Sequence, residues 1–249
     1  MDKSVYNYLL NHRANVFFHQ QTTPTLHRRP QSLSSLSESH FGTALFIETS
    51  RRKSQLVLSI LRLGYNVIFS DVDVALLQNP IPHLLSYNSD IVIQSDRPHF
   101  LQDAPLNYNI NSGFYLVRPS ARTTTAFRAI LKYSQAIRRS EQKAFNYVLC
   151  GAFKTDHAGP GLRIGTDRCT YSRTDATVCV LPLEAFPNGS DQSLWSNATT
   201  RFTEQHPNVV AVHANYVNGL AAKIDRLRTI GYWFLPSQST QTAQCIFPS

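Results

Sequence analysis

Short apolar runs alternate along the chain with longer segments of helical period. Residues 65–70 (YNVIFS), 90–94 (DIVIQ), 111–117 (NSGFYLV), 178–181 (VCVL) and 209–212 (VVAV) are brief runs bounded by turn formers, the pattern of buried strands. Residues 14–18 read the same way, and a small-residue turn opens the 111–117 run. Between them, residues 2–12, 43–63, 120–137, 141–149 and 219–230 carry helical spacing. In the second of these, Leu56, Ile60 and Leu63 form a stripe and Gly64 ends the helix. Residues 22–40, rich in Ser, Thr, Pro and His, read as a loop, and residues 152–177 as a polar irregular stretch. Asn79-Pro80 and Ile81-Pro82 break the chain. This alternation predicts an α/β fold, a sheet with helices on both faces. With no internal repeat and no boundary signal, residues 1–249 read as a single domain.

The 65–70 run ends in Asp71-Val72-Asp73. In extended backbone, residues i and i+2 share a side, so both carboxylates reach one ion and Val72 points to the packed side. Ligands of such sheets bind at the carboxyl ends of strands, where this pair stands. Two aspartates there suit a hard divalent cation holding a phosphate-bearing ligand. Two enzyme classes place the triplet at a strand end. A haloacid-dehalogenase-type phosphatase needs Thr or Val where this chain has Ala75, and a downstream acidic pair that is absent. A nucleotide-sugar glycosyltransferase of the GT-A type needs a cation, Mn²⁺ or Mg²⁺, to neutralise a diphosphate leaving group. The segment after residue 209 favours the second class. His213 ends a strand and is a good third ligand for Mn²⁺. Asn215 and Gly219 mark a turn, Gly219 permits close backbone approach, and Lys223 on the next helix suits a diphosphate.

Composition narrows the field. The 249 residues are 42% hydrophobic and 16% charged, as in a folded globular chain. The net charge of +8 suits anionic partners. Nucleic acid is not expected, because no recognition motif or aromatic-basic platform accompanies the charge. No segment is apolar enough for a membrane span, and residue 1 is not followed by a signal-peptide core. The cysteines are Cys150, Cys169, Cys179 and Cys245, with no zinc-type spacing. With sequons at Asn188 and Asn197 they point to an oxidising compartment, and Cys169–Cys179 is the expected disulfide.

Residues 63–80 (LGYNVIFSDVDVALLQNP), 90–96 (DIVIQSD), 109–119 (NINSGFYLVRP), 142–146 (QKAFN), 186–189 (FPNG) and 213–233 (HANYVNGLAAKIDRLRTIGYW) carry a resemblance. The chain resembles the nucleotide-diphospho-sugar transferase domain of plant and algal glycosyltransferase family 77, which contains xylosyl-, arabinosyl- and galactosyltransferases. The resemblance implies a GT-A-like, Rossmann-type mixed sheet flanked by helices. It implies metal binding (Mn²⁺ or Mg²⁺) by Asp71, Asp73 and His213, with Lys223 on the diphosphate of a donor, UDP-linked. Asn111, Ser112 and Gly113 would border donor sugar and acceptor, Lys53 would face the donor, and the acceptor would be a glycan or glycoprotein. Glu141 and Gln142 stand where the family has Asp-Gln, and would act near the anomeric carbon or the acceptor hydroxyl. The family domain opens with a strand ahead of the helix at Asp2, so an incomplete N-terminus is expected. A Golgi or secretory-lumen setting follows, with any membrane anchor upstream of Met1. The rival reading is a non-catalytic carbohydrate-binding or scaffold protein on the same fold.

Overall fold

A computed structural model describes residues 43–96, 110–150, 168–171, 173–196 and 202–234, all within the unit Glu38–Ser249. The elements expected in residues 1–40, most of the irregular stretch from residue 152, Cys245 and the Asn197 sequon lie outside them. Helix α1 (Ala44–Arg62) begins where Thr43 Oγ1 accepts from Phe46 N at 3.2 Å, and ends before Gly64 at φ +86°. Strands β1 (Val67–Ser70) and β2 (Val74–Leu76) follow. Next is α2 (Pro80–Ser86), which starts at the expected boundary Asn79-Pro80 but runs through Ile81-Pro82, correcting the break expected there. Asn79 caps this helix through Ile81 N, and Pro80 at its first turn has no N–H to leave unpaired.

Strands β3 (Ile91–Ser95) and β4 (Ile110–Val117) lead to α3 (Ala121–Ile137), which opens on a Ser120–Thr123 capping box. Helix α4 (Glu141–Phe145) runs into a π turn, Asn146–Cys150. Strands β5 (Arg168–Tyr171) and β6 (Ala176–Leu181) come next, so part of the supposed irregular stretch is strand. Then follow α5 (Phe202–Gln205), β7 (Ala211–His213) and α6 (Leu220–Thr229).

Among the described residues the main sheet is mixed, in the order β1-β4-β3-β6-β5, with β3 and β6 parallel and the other neighbours antiparallel. β2 and β7 form a separate antiparallel ribbon. Helices α1, α3 and α4 cover one face of the sheet around Tyr115, Phe127 and Phe145. On the other face lie α2, through Leu84, and the ribbon, through Ala211, packed on Phe114 and Phe186. A third cluster joins the ribbon's outer side, at Ala75 and Val212, to Leu227 and Ile230 of and after α6. The stripe read along α1 is corrected. Val57, Leu58 and Leu61 are buried, whereas Leu56, Ile60 and Leu63 are exposed. The β5–β6 ladder sets Cys169 opposite Val178 and Arg168 opposite Cys179. The two cysteine positions are therefore one residue out of step, which disfavours a cross-strand disulfide between them. No helix of the described residues is long and apolar enough to cross a membrane.

Candidate active site

Strand ends converge at one edge of the main sheet. Because β4 runs antiparallel to both β1 and β3, its beginning lies beside their carboxyl ends. After β1 the chain turns at once, with Val74 N donating to Asp71 O at 3.3 Å. Val72 sits at the tip of this turn, fully exposed. This corrects the expected packing of Val72: a turn, rather than the pleat of a strand, brings the two carboxylates together. Asp71 N donates to Gly113 O at 2.6 Å and Ala214 N to Asp73 O at 2.9 Å, which pins both ends.

His213 ends β7, directly opposite Val74. Asp71, Asp73 and His213 each offer a ligand atom, all within 4.8 Å of one another. Gly113 forms one wall of this cluster. A Cβ there would overlap His213 Cε1 and lie 2.9 Å from Asp71 Oδ2, so the ligands close over a position that has no side chain. Two carboxylates and one imidazole suit Mn²⁺ or Mg²⁺. The donor set and this close packing both fit such an ion.

Two lysines flank the cluster. Lys223 Nζ is 2.6 Å from Asp73 Oδ2, and Lys53 Nζ is 2.8 Å from Asp71 Oδ1 and 3.1 Å from Glu141 Oε1. Burial alone would raise the Asp73 pKa, but His213 and Lys223 outweigh it and hold the carboxyl well below its ordinary value. Burial likewise works against the Lys53 charge, yet Glu141 and Asp71 leave its pKa raised.

Beside the cluster, β4 bulges away from β3. Ile93 pairs with Tyr115 but Gln94 with Asn111, leaving residues 112–114 without partners on β3. The bulge aims Ser112 at α4, where its Oγ lies 3.3 Å from Glu141 Oε1 and 3.4 Å from Gln142 Oε1. Asp96 accepts from Asn111 Nδ2 at 2.8 Å and from Gln142 Nε2 at 2.9 Å. Burial raises the Asp96 pKa to about 6, against the lowering effects of Asn111, His213 and Gln142.

Lys53, Asn111, Ser112, Gly113, Glu141 and Gln142 therefore share one hydrogen-bonded wall with the cluster of Asp71, Asp73 and His213. Asn215 plays another part. Its Oδ1 accepts from Gly189 N at 2.7 Å and joins the 186–190 loop to the segment after β7. Arg226 reinforces that joint by donating to the carbonyls of Gly189 and Asn215. The sequon at Asn188 is buried. Asn188 Oδ1 accepts from Ser190 N at 2.9 Å and its Nδ2 donates to Ser95 O at 3.2 Å, which leaves no room for a glycan. Gly219 takes φ +85° just before α6, and Lys223 stands one turn into that helix. Asp96, Gln94 and Arg226 escaped the sequence reading. Asp96 did carry a signal, since like Asp71 it follows directly on an apolar strand. Arg226 carried none.

Residues 1–227 match the nucleotide-diphospho-sugar transferase family. The beta-arabinofuranosyltransferase RAY1 of Arabidopsis thaliana is 36% identical over 80% of this chain and 36% of its own length. A UDP-D-xylose:L-fucose alpha-1,3-D-xylosyltransferase of the same plant is 27% identical over 86% of this chain and 56% of its own. The chain thus spans between about a third and about half of these relatives. Among solved structures, the galactosyltransferase LgtC, in complex with donor and acceptor sugar analogues, shares 12% identity at a TM-score of 0.33, over 63% of this chain and 57% of its own. The chain belongs to the nucleotide-diphospho-sugar transferase family, and its relatives are consistent with glycosyltransferase family 77.

Proposed function

We propose that the protein is a metal-dependent glycosyltransferase that moves a sugar from a nucleotide-diphosphate donor, UDP-linked, to a glycan or glycoprotein acceptor. The observation that carries this is the Asp71, Asp73 and His213 cluster with Lys223 against it. When bound there, a divalent cation, Mn²⁺ or Mg²⁺, neutralises charge on the departing diphosphate. Asp71, Asp73 and His213 would hold it. Lys223 would add a second positive charge to the diphosphate, near the start of α6 and the open backbone at Gly219. Lys53, Asn111, Ser112, Gly113 and Asp96 would face the donor sugar. Glu141, fixed between Lys53 and Ser112, would with Gln142 stabilise charge near the anomeric carbon or place the acceptor hydroxyl. Asn215 would act on the donor side through the loop it holds. A single domain over residues 1–249 and a Golgi-lumenal setting belong to the same reading.

The test is hydrolysis and transfer from UDP-xylose, UDP-arabinofuranose and UDP-galactose with Mn²⁺, for wild type and Asp73→Ala. Asp73→Ala should lose more than the ~10–100-fold typical of removing a group behind a metal ligand. Equal turnover of the two proteins would sink the metal assignment. Calorimetry of UDP with and without Mn²⁺ separates the rival scaffold, which should show no metal-dependent binding.

A further inference from the structure

We propose that Gln94 fixes His213 as a cation ligand, holding the neutral ring with its proton on Nδ1 so that the Nε2 lone pair faces the aspartates. The proposal rests on the metal-site reading above and names what orients its third ligand. Gln94 is fully buried near the end of β3. Its amide nitrogen donates to two backbone carbonyls, Phe186 O at 3.1 Å and Pro187 O at 3.2 Å. Carbonyls only accept, so the nitrogen must face them. Turning the amide round would lose both bonds and set its oxygen against two others. This decides which end of Gln94 meets the histidine: Oε1 lies 2.9 Å from His213 Nδ1.

An amide oxygen also only accepts, so this bond exists only with a proton on Nδ1. In neutral imidazole the other nitrogen is then a bare acceptor. Nε2 stands 3.3 Å from Asp73 Oδ1. In the empty site a proton on Nε2 would bridge this pair; a bound cation takes that proton's place and leaves the Nδ1–H bond to Gln94 unchanged. The opposite tautomer would put two acceptors face to face at Gln94 and hide the lone pair from the aspartates. Flipping the ring by half a turn would move Nδ1 away from Gln94.

The frame behind Gln94 is itself tied to the histidine. His213 N donates to Pro187 O at 3.2 Å, and Asn188 bridges to the His213 backbone. The orienting path thus runs from the 186–188 loop through one buried amide to the ring. Gln94 is a positioning residue, acting only through His213. Both ends of the Gln94 amide are thus used: Nε2 ties β3 to the 186–188 loop and Oε1 holds the ring.

Two measurements decide the matter. Wild type labelled with ¹⁵N-histidine and saturated with Mg²⁺, which is diamagnetic, is examined by long-range ¹H–¹⁵N correlation. His213 is assigned by its loss in His213→Asn. The proposal expects the Nδ1–H tautomer, and an Nε2–H or averaged ring overturns it. Mn²⁺ dissociation constants are then read by electron paramagnetic resonance for wild type, Gln94→Leu and Asp73→Ala. Gln94→Leu should weaken binding by about 10- to 100-fold. Unchanged affinity in a folded Gln94→Leu overturns the proposal. Should Gln94→Leu not fold, the wild-type tautomer decides alone. Failure of the metal reading shows separately, as Mn²⁺ binding that Asp73→Ala leaves untouched.

Discussion

At the scale of single residues, the site depends on a missing side chain and on a shared lysine. Gly113 lies where a Cβ would overlap His213 Cε1 and crowd Asn111 Oδ1 at 2.8 Å. Gly113→Ala should therefore displace the ring, lower Mn²⁺ affinity by tenfold or more, and destabilise the fold by about 1–3 kcal/mol. Paramagnetic resonance titration and thermal melts check both effects. Lys53 is the cation beside the buried Glu141. Lys53→Met would leave that carboxylate uncompensated, at a cost of about 3 kcal/mol, and Lys53→Met with Glu141→Gln should restore much of it. Additive losses in this double-mutant cycle, measured by denaturant unfolding, would refute the pairing. Asp71, Asp73 and His213 were legible in the sequence because they stand at strand ends, where side chains project from the sheet edge, whereas Lys53, Asn111, Gly113 and Glu141 were named only through the family resemblance. Gln94 was not legible, because one polar residue inside an apolar run says nothing about what lies across from it.

At the scale of elements, the bulge in β4 and the helix behind it position the wall of Asn111, Ser112, Glu141 and Gln142. Asn146 sits at the junction of α4 and the π turn. Its Oδ1 accepts from Ile110 N at 2.7 Å, and its Nδ2 donates to Ile110 O at 2.8 Å and Gln142 O at 2.9 Å. One side chain thus satisfies both backbone groups at the start of β4 and holds the turn bearing Gln142. Asn146→Ala should cost about 2–4 kcal/mol through orphaned buried groups. It should also loosen Gln142, seen as a fall in turnover that exceeds any change in Mn²⁺ affinity. By contrast Ser120→Ala, which removes only the α3 cap, should cost about 1 kcal/mol and leave Mn²⁺ affinity alone. Helix existence was readable from period, capping residues and Gly64. The buried face of α1 was not, because the stripe Leu56, Ile60 and Leu63 and the observed face Val57, Leu58 and Leu61 are both apolar at helical spacing. Periodicity alone cannot say which side meets the sheet.

At the scale of the whole molecule, the site stores electrostatic tension that pH should reveal. The Asp96 pKa rises from 3.8 to about 6 on folding. A raised acid favours the neutral form, so its contribution to stability is fully present below 3.8 and is lost as pH climbs through about 6. At about 1.4 kcal/mol per pH unit the loss is at most about 3 kcal/mol. In chelator-treated protein, Asp96→Asn should flatten the decline in melting temperature across this window, and an identical profile for the two proteins would count against the buried-acid description. The sequence by itself determined the mixed α/β class, the strand end bearing Asp71 and Asp73, and the later strand end bearing His213 with Lys223 beyond it, because these are local patterns of period, propensity and residue chemistry. Only the tertiary structure decided that a turn with Val72 at its exposed tip brings the aspartates together, that Asp96 joins Asn111 to Gln142, and that Gln94 stands behind the histidine. Those facts depend on β4 running antiparallel between β1 and β3 and on the β2–β7 ribbon folding back over the sheet. The β4 pairings join residues 15 to 50 positions apart and the ribbon joins residues 135 to 139 apart, and no local pattern encodes them.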